Sequence, residues 1–239
     1  MKNKHSKKSD IQLSLVIPFF NEDKNVDGVL NSLAASLNRE KIKYEIIAVD
    51  NGSFDDTGIL IDKLKKKNGK IKKLWIRKNQ GYGYAIRRGL SMCKGDYIGY
   101  LWGDNQISPE AIPKLLHKLK DGQVSLCKIS RVSRTESAIR RIQSYLYNSM
   151  MRIFFGVQSR DINGCPKIMK SDVYKSLNIK SSDWFIDPEI LIKCKRKGYK
   201  IKEVSVTPID RKAGVSKVSF RTTLEFIKNI FRYRIWDFE

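Results

Sequence analysis

Two uninterrupted apolar runs constrain this chain most. "LSLVIPFF" (13–20) and "YEIIAVD" (44–50) are of strand length, β-branched in part and nearly free of polar alternation. That pattern belongs to strands buried on both faces of a sheet. Between them, Val26, Val29, Leu30, Leu33 and Leu37 recur at helical spacing over 23–38. The alternation continues with a helix over 55–67, a strand over 73–77, a helix over 81–93 and a strand over 97–102. Pro109 and Glu110 then open a further helix to about Leu119. Four strand–helix units in succession predict an α/β fold, with a Rossmann-like, mostly parallel sheet and helices on both faces.

Ligands of such sheets bind beyond the carboxyl ends of the strands. The polar residues gathered there are Asn21 and Glu22, Asp50 to Ser53, Asn79 to Gly83, and Asp104 to Gln106. Four separate strand ends therefore converge on one crevice. Asp50, ahead of "NGS", has two readings, a ligand contact or an aspartate that holds the turn. Trp102 likewise either fills the core or walls a pocket.

The second half is less regular. "SLCKIS" (125–130) reads as a strand, 137–156 as an amphipathic helix ended by glycine, 199–209 as a strand and "DRKAGVSK" (210–217) as a polar loop. With no internal repeat or linker, the chain divides into a basic tail (1–10), one domain (11–218) and a C-terminal amphipathic helix (219–239) that interleaves aromatic and basic residues. Such a helix either lies in a membrane interface or docks on its own domain.

The chain carries 47 Lys and Arg against 25 Asp and Glu, a net charge of +22. That excess favours polyanionic partners: nucleotide phosphates, an anionic membrane face or nucleic acid. Nucleic acid has no recognition motif here to support it. Cys93, Cys127, Cys165 and Cys194 show no metal-ligand or paired spacing, so they read as reduced thiols of a cytoplasmic protein. With only His5 and His117, a His-based metal site or Ser-His-Asp triad is disfavoured. The N-terminus lacks the apolar segment of a signal peptide, and no stretch is apolar for long enough to span a membrane.

Several ordered blocks carry a resemblance. "VIPFFNE", "VDNGSFDDT", "NQGYGYAIRRGL" and "GDYIGYLWGDNQISPE" resemble the family 2 glycosyltransferases of GT-A fold. "SR" (130–131), "RRIQS" (140–144), "DINGCPKIM" (161–169), "DPEILIKCKRKGYKIKEV" (187–204) and "RKAGVSK" (211–217) are similar to the polyprenyl-phosphate sugar synthase branch, of which dolichyl-phosphate mannose synthase is typical. The resemblance implies an inverting sugar transferase working from a nucleotide-diphosphate donor of the GDP or UDP type onto a polyprenyl phosphate, at the inner face of the cell membrane. It places Pro18, Glu22 and Asp50 against the nucleotide, with Asn79 and Gly81 on the same rim. It places Asp104 and Gln106 at a divalent cation (Mg²⁺ or Mn²⁺), Arg131, Arg140 and Ser144 on the acceptor phosphate, and Arg211, Ser216 and Lys217 on a loop over the diphosphate. Trp102 stands where the family has the first aspartate of its Asp-x-Asp pair, and an indole is no ligand for a divalent ion.

A lipid phosphate arrives ionised and needs no general base, whereas a sugar hydroxyl does. The second reading, transfer to a hydroxyl of a cell-surface glycan, would use Asp161 as that base. In the first, Arg211 and Lys217 neutralise charge on the leaving diphosphate. A third reading, a non-catalytic nucleotide-sugar-binding protein, follows from the loss of the aspartate at Trp102.

Overall fold

The computed structural model describes residues 10–132, 138–209, 228–230 and 232–233, with the backbone alone described over 138–143. Its strands are β1 (Leu13–Phe19), β2 (Tyr44–Asp50), β3 (Ile71–Trp75), β4 (Tyr97–Tyr100), β5 (Leu126–Arg131), β6 (Lys167–Lys170) and β7 (Ile201–Val206). They form one sheet in the order β3-β2-β1-β4-β6-β5-β7. The helices are α1 (Asp23–Arg39), α2 (Thr57–Lys67), α3 (Tyr82–Leu90), α4 (Ala111–Lys120), α5 (Ala138–Phe155), α6 (Ser171–Leu177) and α7 (Ile186–Arg196).

The first four strands are mutually parallel, as their continuous apolar runs predict. All seven residues of β2 are buried, and so are all of β1 except Pro18, which is half-buried. The chain steps outward from β1 through α1 to β2 and through α2 to β3. The return to β4 on the far side of β1 puts α3 on the opposite face. In keeping with this, α1 packs on α2 and α4, while α3 packs on β1, β2 and β4. The order reverses between β1 and β4, where an open α/β sheet binds its ligands.

The other half is mixed. β6 runs antiparallel to both β4 and β5, and β7 is parallel to β5. Neither β6, α6 nor α7 is predicted from the sequence. β6 is four residues with a lysine at each end, too short and too polar at its ends to register as a buried strand. Two strand positions also shift. β3 lies at 71–75 rather than 73–77, because it is an edge strand and tolerates Lys72 and Lys73, which pair with Glu45 and Asp62. β4 stops at Tyr100, opposite Val16, so Leu101 and Trp102 have left the ladder.

The cysteines form no disulfide; Cys127, Cys165 and Cys194 are buried and Cys93 half-buried. Among the described residues no helix is long and apolar enough to cross a membrane. Most of the 219–239 segment lies outside the described residues, as does the tail over 1–9. Residues 228–230 and 232–233 are helical, with Ile230 and Tyr233 buried and the Tyr233 ring 5.2 Å from that of Phe185.

α3 lies close on the sheet because Gly89 has no side chain. A Cβ there would fall inside the van der Waals envelope of Val16. Gly89→Ala should therefore lower unfolding stability by about 1–3 kcal/mol. Val16→Ala should partly relieve that loss in the double variant, as read by urea denaturation.

Candidate functional site

The crevice is built from the ends of β1 to β4. Phe19 and Asp50 are register partners, as are Asp50 and Trp75, so β1, β2 and β3 end level. β4 ends earlier, and the chain then runs beside β1 outside the ladder, held by the Leu101 N–H donating to the Val16 carbonyl at 3.1 Å. At Gly103 it presses so closely on β1 that a Cβ would lie 2.6 Å from the Phe19 ring and 3.0 Å from the Pro18 carbonyl. Only glycine allows that approach, and it sets the Asp104–Gln106 turn against the end of β1.

Two asparagines adopt left-handed backbone here, Asn21 after β1 (φ 51°) and Asn105 in the β4 turn (φ 58°). Asparagine is among the few side chains that accept this conformation readily. Asn21 is fixed by exchange with the β2 turn: its N–H donates to Ser53 Oγ at 3.1 Å, and its Oδ1 accepts the Phe54 N–H at 3.1 Å. The buried Asn51 bridges to the β3 loop, with Nδ2 donating to Asn79 Oδ1 at 3.2 Å and to the Gly81 carbonyl at 3.1 Å. Asn79 Oδ1 also accepts the Gly81 N–H at 2.8 Å. The segments after β1, β2 and β3 are thus one hydrogen-bonded rim.

The acidic groups on this rim differ. Asp50 is 3% exposed; its Oδ1 accepts the Ser53 N–H at 3.0 Å and Oδ2 lies against Gly58. Its carboxylate therefore shapes the turn. Glu22 is also buried, its Oε2 accepting Asn25 Nδ2 at 2.6 Å. Asp104 is half-buried, and its Oδ1 accepts the Gln106 N–H at 3.3 Å. Among the described residues no three His, Cys, Asp or Glu side chains cluster so as to hold a metal by themselves. The donor set at the β4 turn is one carboxylate, Asp104, with Gln106 two residues on. That set fits an ion such as Mg²⁺, which takes most of its ligands from phosphate oxygens and water.

Trp102 joins three elements instead of binding an ion. Its Nε1–H donates to Tyr82 Oη at 2.8 Å, and the Arg131 guanidinium stands 4.9 Å from its ring centroid, within cation–π range. Tyr82 in turn stacks on Trp184, with ring centroids 4.4 Å apart. The segment bearing Trp184 is held by Arg87, which donates to Ser182 Oγ at 3.2 Å, and by Glu189, which accepts the N–H groups of Lys180 and Ser181.

Arg131 and Asp161, expected to serve alternative acceptors, are partners. Arg131 Nε and Nη2 donate to the two Asp161 oxygens at 2.8 and 3.0 Å, and the Arg131 N–H adds a bond to Oδ2 at 3.1 Å. Burial would raise the Asp161 carboxyl, but the hydrogen bonds and charge of Arg131, helped by Lys128, hold it below the ordinary carboxylate value. Ser144 is exposed on α5, and Arg140 lies one turn before it on the same helix. The Arg140 side chain, and Arg211, Ser216 and Lys217, lie outside the described residues.

Behind this wall are ionic groups that the sequence did not single out. Lys128 and Lys167 are both 0% exposed and are register partners across β5 and β6. Lys167 pairs with Asp187, which also accepts the Tyr100 hydroxyl at 2.7 Å. Lys128 donates to the carbonyls of Ile129 and Asp161 and to Glu203 Oε1. Asp187 and Glu189 sit in the first turn of α7, where the helix dipole favours carboxylates. The acidic "DPE" at a helix start was the available signal; nothing marked the two lysines as internal.

Removing Asp187 strands a buried ammonium, so Asp187→Ala should cost about 3–5 kcal/mol of stability. Lys167→Met in the same chain should recover at least half of it by chemical denaturation. Burial, then the charge of Lys167, pushes Lys128 down from 10.5 to about 8, against the pull of Glu203 and Asp161. A folded value below the unfolded one means that keeping the ammonium opposes folding below about pH 8, and that this opposition fades as pH rises toward 10.5. The stability of the wild type relative to Lys128→Met should therefore rise by up to about 3 kcal/mol between pH 7 and 10.

The glycosyl transferase family 2 model matches residues 14–177. A protein of Methanocaldococcus jannaschii to which no function is assigned is 30% identical over 230 residues, 91% of this chain and 97% of that protein. Dodecaprenyl-phosphate galacturonate synthase of Rhizobium johnstonii is 27% identical over 230 residues, 94% of this chain and 68% of the relative. Among solved structures, glucosyl-3-phosphoglycerate synthase from Mycobacterium tuberculosis in complex with UDP matches with a TM-score of 0.74 at 19% identity, over 94% of this chain and 80% of that one. The same enzyme has been solved with Mn²⁺, UDP-glucose and phosphoglyceric acid (TM-score 0.73, 20% identity). At these identities the structural likeness is one of fold.

Proposed function

The chain belongs to glycosyl transferase family 2, and from that premise we propose that it transfers a sugar from a nucleotide-diphosphate donor to a polyprenyl phosphate, at the cytoplasmic face of a membrane. One observation carries the donor half: the turns after β1, β2 and β3 are hydrogen-bonded into one rim, and Gly103 presses the Asp104 turn onto the end of β1. In this reading Pro18, Glu22, Asp50, Asn79 and Gly81 shape the nucleotide seat. Asp104 faces the diphosphate, and with Gln106 would hold a divalent ion. Bound there, such an ion stabilises negative charge on the leaving phosphate. Arg211, Ser216 and Lys217 close over the same charge and exclude water.

The acceptor half is supported by the state of Asp161. A carboxylate held ionised and forked onto Arg131 is a weak proton acceptor, which disfavours it as a base for a sugar hydroxyl. A phosphate acceptor needs no base. It needs fixed cations, and a guanidinium forked in place by Asp161 and laid on Trp102 is one. Arg140 and Ser144, one turn apart on α5, complete the set. The named activity of the Rhizobium relative, on dodecaprenyl phosphate, agrees with this chemistry.

Purified protein incubated with radiolabelled nucleotide sugars and undecaprenyl phosphate should move label into the organic phase. Asp104→Asn should lower that transfer by about 100-fold or more. Label passing only to a sugar hydroxyl, or an Asp104→Asn variant as active as the wild type, would refute the assignment.

A further inference from the structure

Lys128, 0% exposed, lies under the turn from Asp161 to Gly164, which the Gly164 N–H closes onto the Asp161 carbonyl at 2.9 Å. A Cβ on Gly164 would stand 2.2 Å from the Ile129 carbonyl and 3.0 Å from Lys128 Nζ, so glycine lets the turn settle directly on the ammonium. Lys128 grips the Asp161 carbonyl, while the carboxylate of that same residue forks Arg131. The Arg131 guanidinium in turn lies on Trp102. Asn148 of α5 adds a neutral tie, its Nδ2 donating to the Arg160 carbonyl at 2.9 Å. A single residue, Asp161, thus stands between the buried cation and the cation of the crevice wall.

An ammonium has three N–H donors and no acceptor. Among the described residues four acceptors face it: the carbonyls of Ile129 and Asp161, Ser159 Oγ and Glu203 Oε1. Ser159 already gives its own proton to Glu203. The neutral amine would therefore keep two donors and turn a lone pair toward an oxygen with no hydrogen to offer, a repulsion made stronger by the absence of water. We propose that Lys128 is a positioning residue: its ammonium pins the Asp161 turn, and the pinned carboxylate holds Arg131 in line for the acceptor phosphate. The charged groups facing Lys128 are Lys167 on β6, Glu203 on β7 and Asp161 in the turn, with Asp187 of α7 answering Lys167. Burial and the charge of Lys167 bring the ammonium down to about 8, inside the pH range of an assay.

The role of Arg131 at the acceptor rests on the proposed function, so one arm of the test does without substrate. In ¹⁵N-labelled full chain at about pH 6.5, the Arg131 Nε–H is identified by its absence from Arg131→Gln. It should exchange with solvent about tenfold faster in Lys128→Met than in the wild type, the worth of one charge-assisted hydrogen bond. Lys128→Gln, which keeps two N–H donors without the charge, should fall between them. The kinetic arm follows transfer to undecaprenyl phosphate. Its KM in the wild type should rise about tenfold between about pH 7 and about pH 9.5 as the ammonium is lost, with the donor KM steady within about twofold. Lys128→Met should start high and stay level across that range, and in an Arg131→Gln background it should add less than about twofold. Thermal melts at each pH verify folding. Arg131 exchange equal in wild type and Lys128→Met would overturn the proposal. So would a Lys128→Met effect that persists in full without Arg131, or that falls equally on donor and acceptor, the signature of a general loss of structure. Wild-type protein that moves no sugar to undecaprenyl phosphate would refute the acceptor assignment, and the exchange arm would still decide whether Lys128 positions Arg131.

Discussion

Two ammonium groups facing one another across β5 and β6, both shut off from water, set the terms for the mixed half of the sheet. Neither could remain there unpaired, because an isolated buried charge costs several kcal/mol. The surrounding structure is arranged to answer them. Asp187 reaches Lys167 from the first turn of α7, and Glu203 reaches Lys128 from β7. Both lysines also take carbonyls of one loop, Asp161 for Lys128 and Gly164 for Lys167. That loop is therefore clamped from below by charge. Its Asp161 side chain then fixes Arg131, and Arg131 lies on Trp102. The wall of the crevice is the outer layer of an ionic core.

The parallel half works by different means. Its strands are bound by apolar burial, and its crevice is shaped by two left-handed asparagines, an asparagine whose side chain bridges two loops, and a glycine that lets one strand exit press on another. Such a rim is cross-linked by hydrogen bonds between its turns. The guanidinium nearest this crevice wall, that of Arg131 on Trp102, comes from the other half.

This division explains what could be read from the chain. β1 and β2 were readable because burial on both faces leaves a continuous apolar run, as was the helix between them, and so were the four polar clusters at the strand ends. β3 slipped by two residues because an edge strand admits lysines that a propensity argument excludes. β6 was hidden for a related reason: Lys167 and Lys170 make a polar string, and only the antiparallel neighbours and Asp187 show that Lys167 is internal. The pairing of Arg131 with Asp161 joins residues thirty positions apart on separate elements, so no local pattern carries it. Resemblance supplied the identities of these residues without their mutual contact. Trp102 shows the limit most clearly, since its neighbours Tyr82 and Arg131 come from two distant parts of the sequence.

That aromatic contact chain has an optical corollary. An indole whose N–H is given to a phenol and whose face carries a guanidinium emits according to those two neighbours. Trp75 is largely in solvent, so its emission differs from that of the sheltered ring. The fold thus contains its own chromophoric reporter beside the crevice, and any occupant that draws Arg131 aside alters the light it gives.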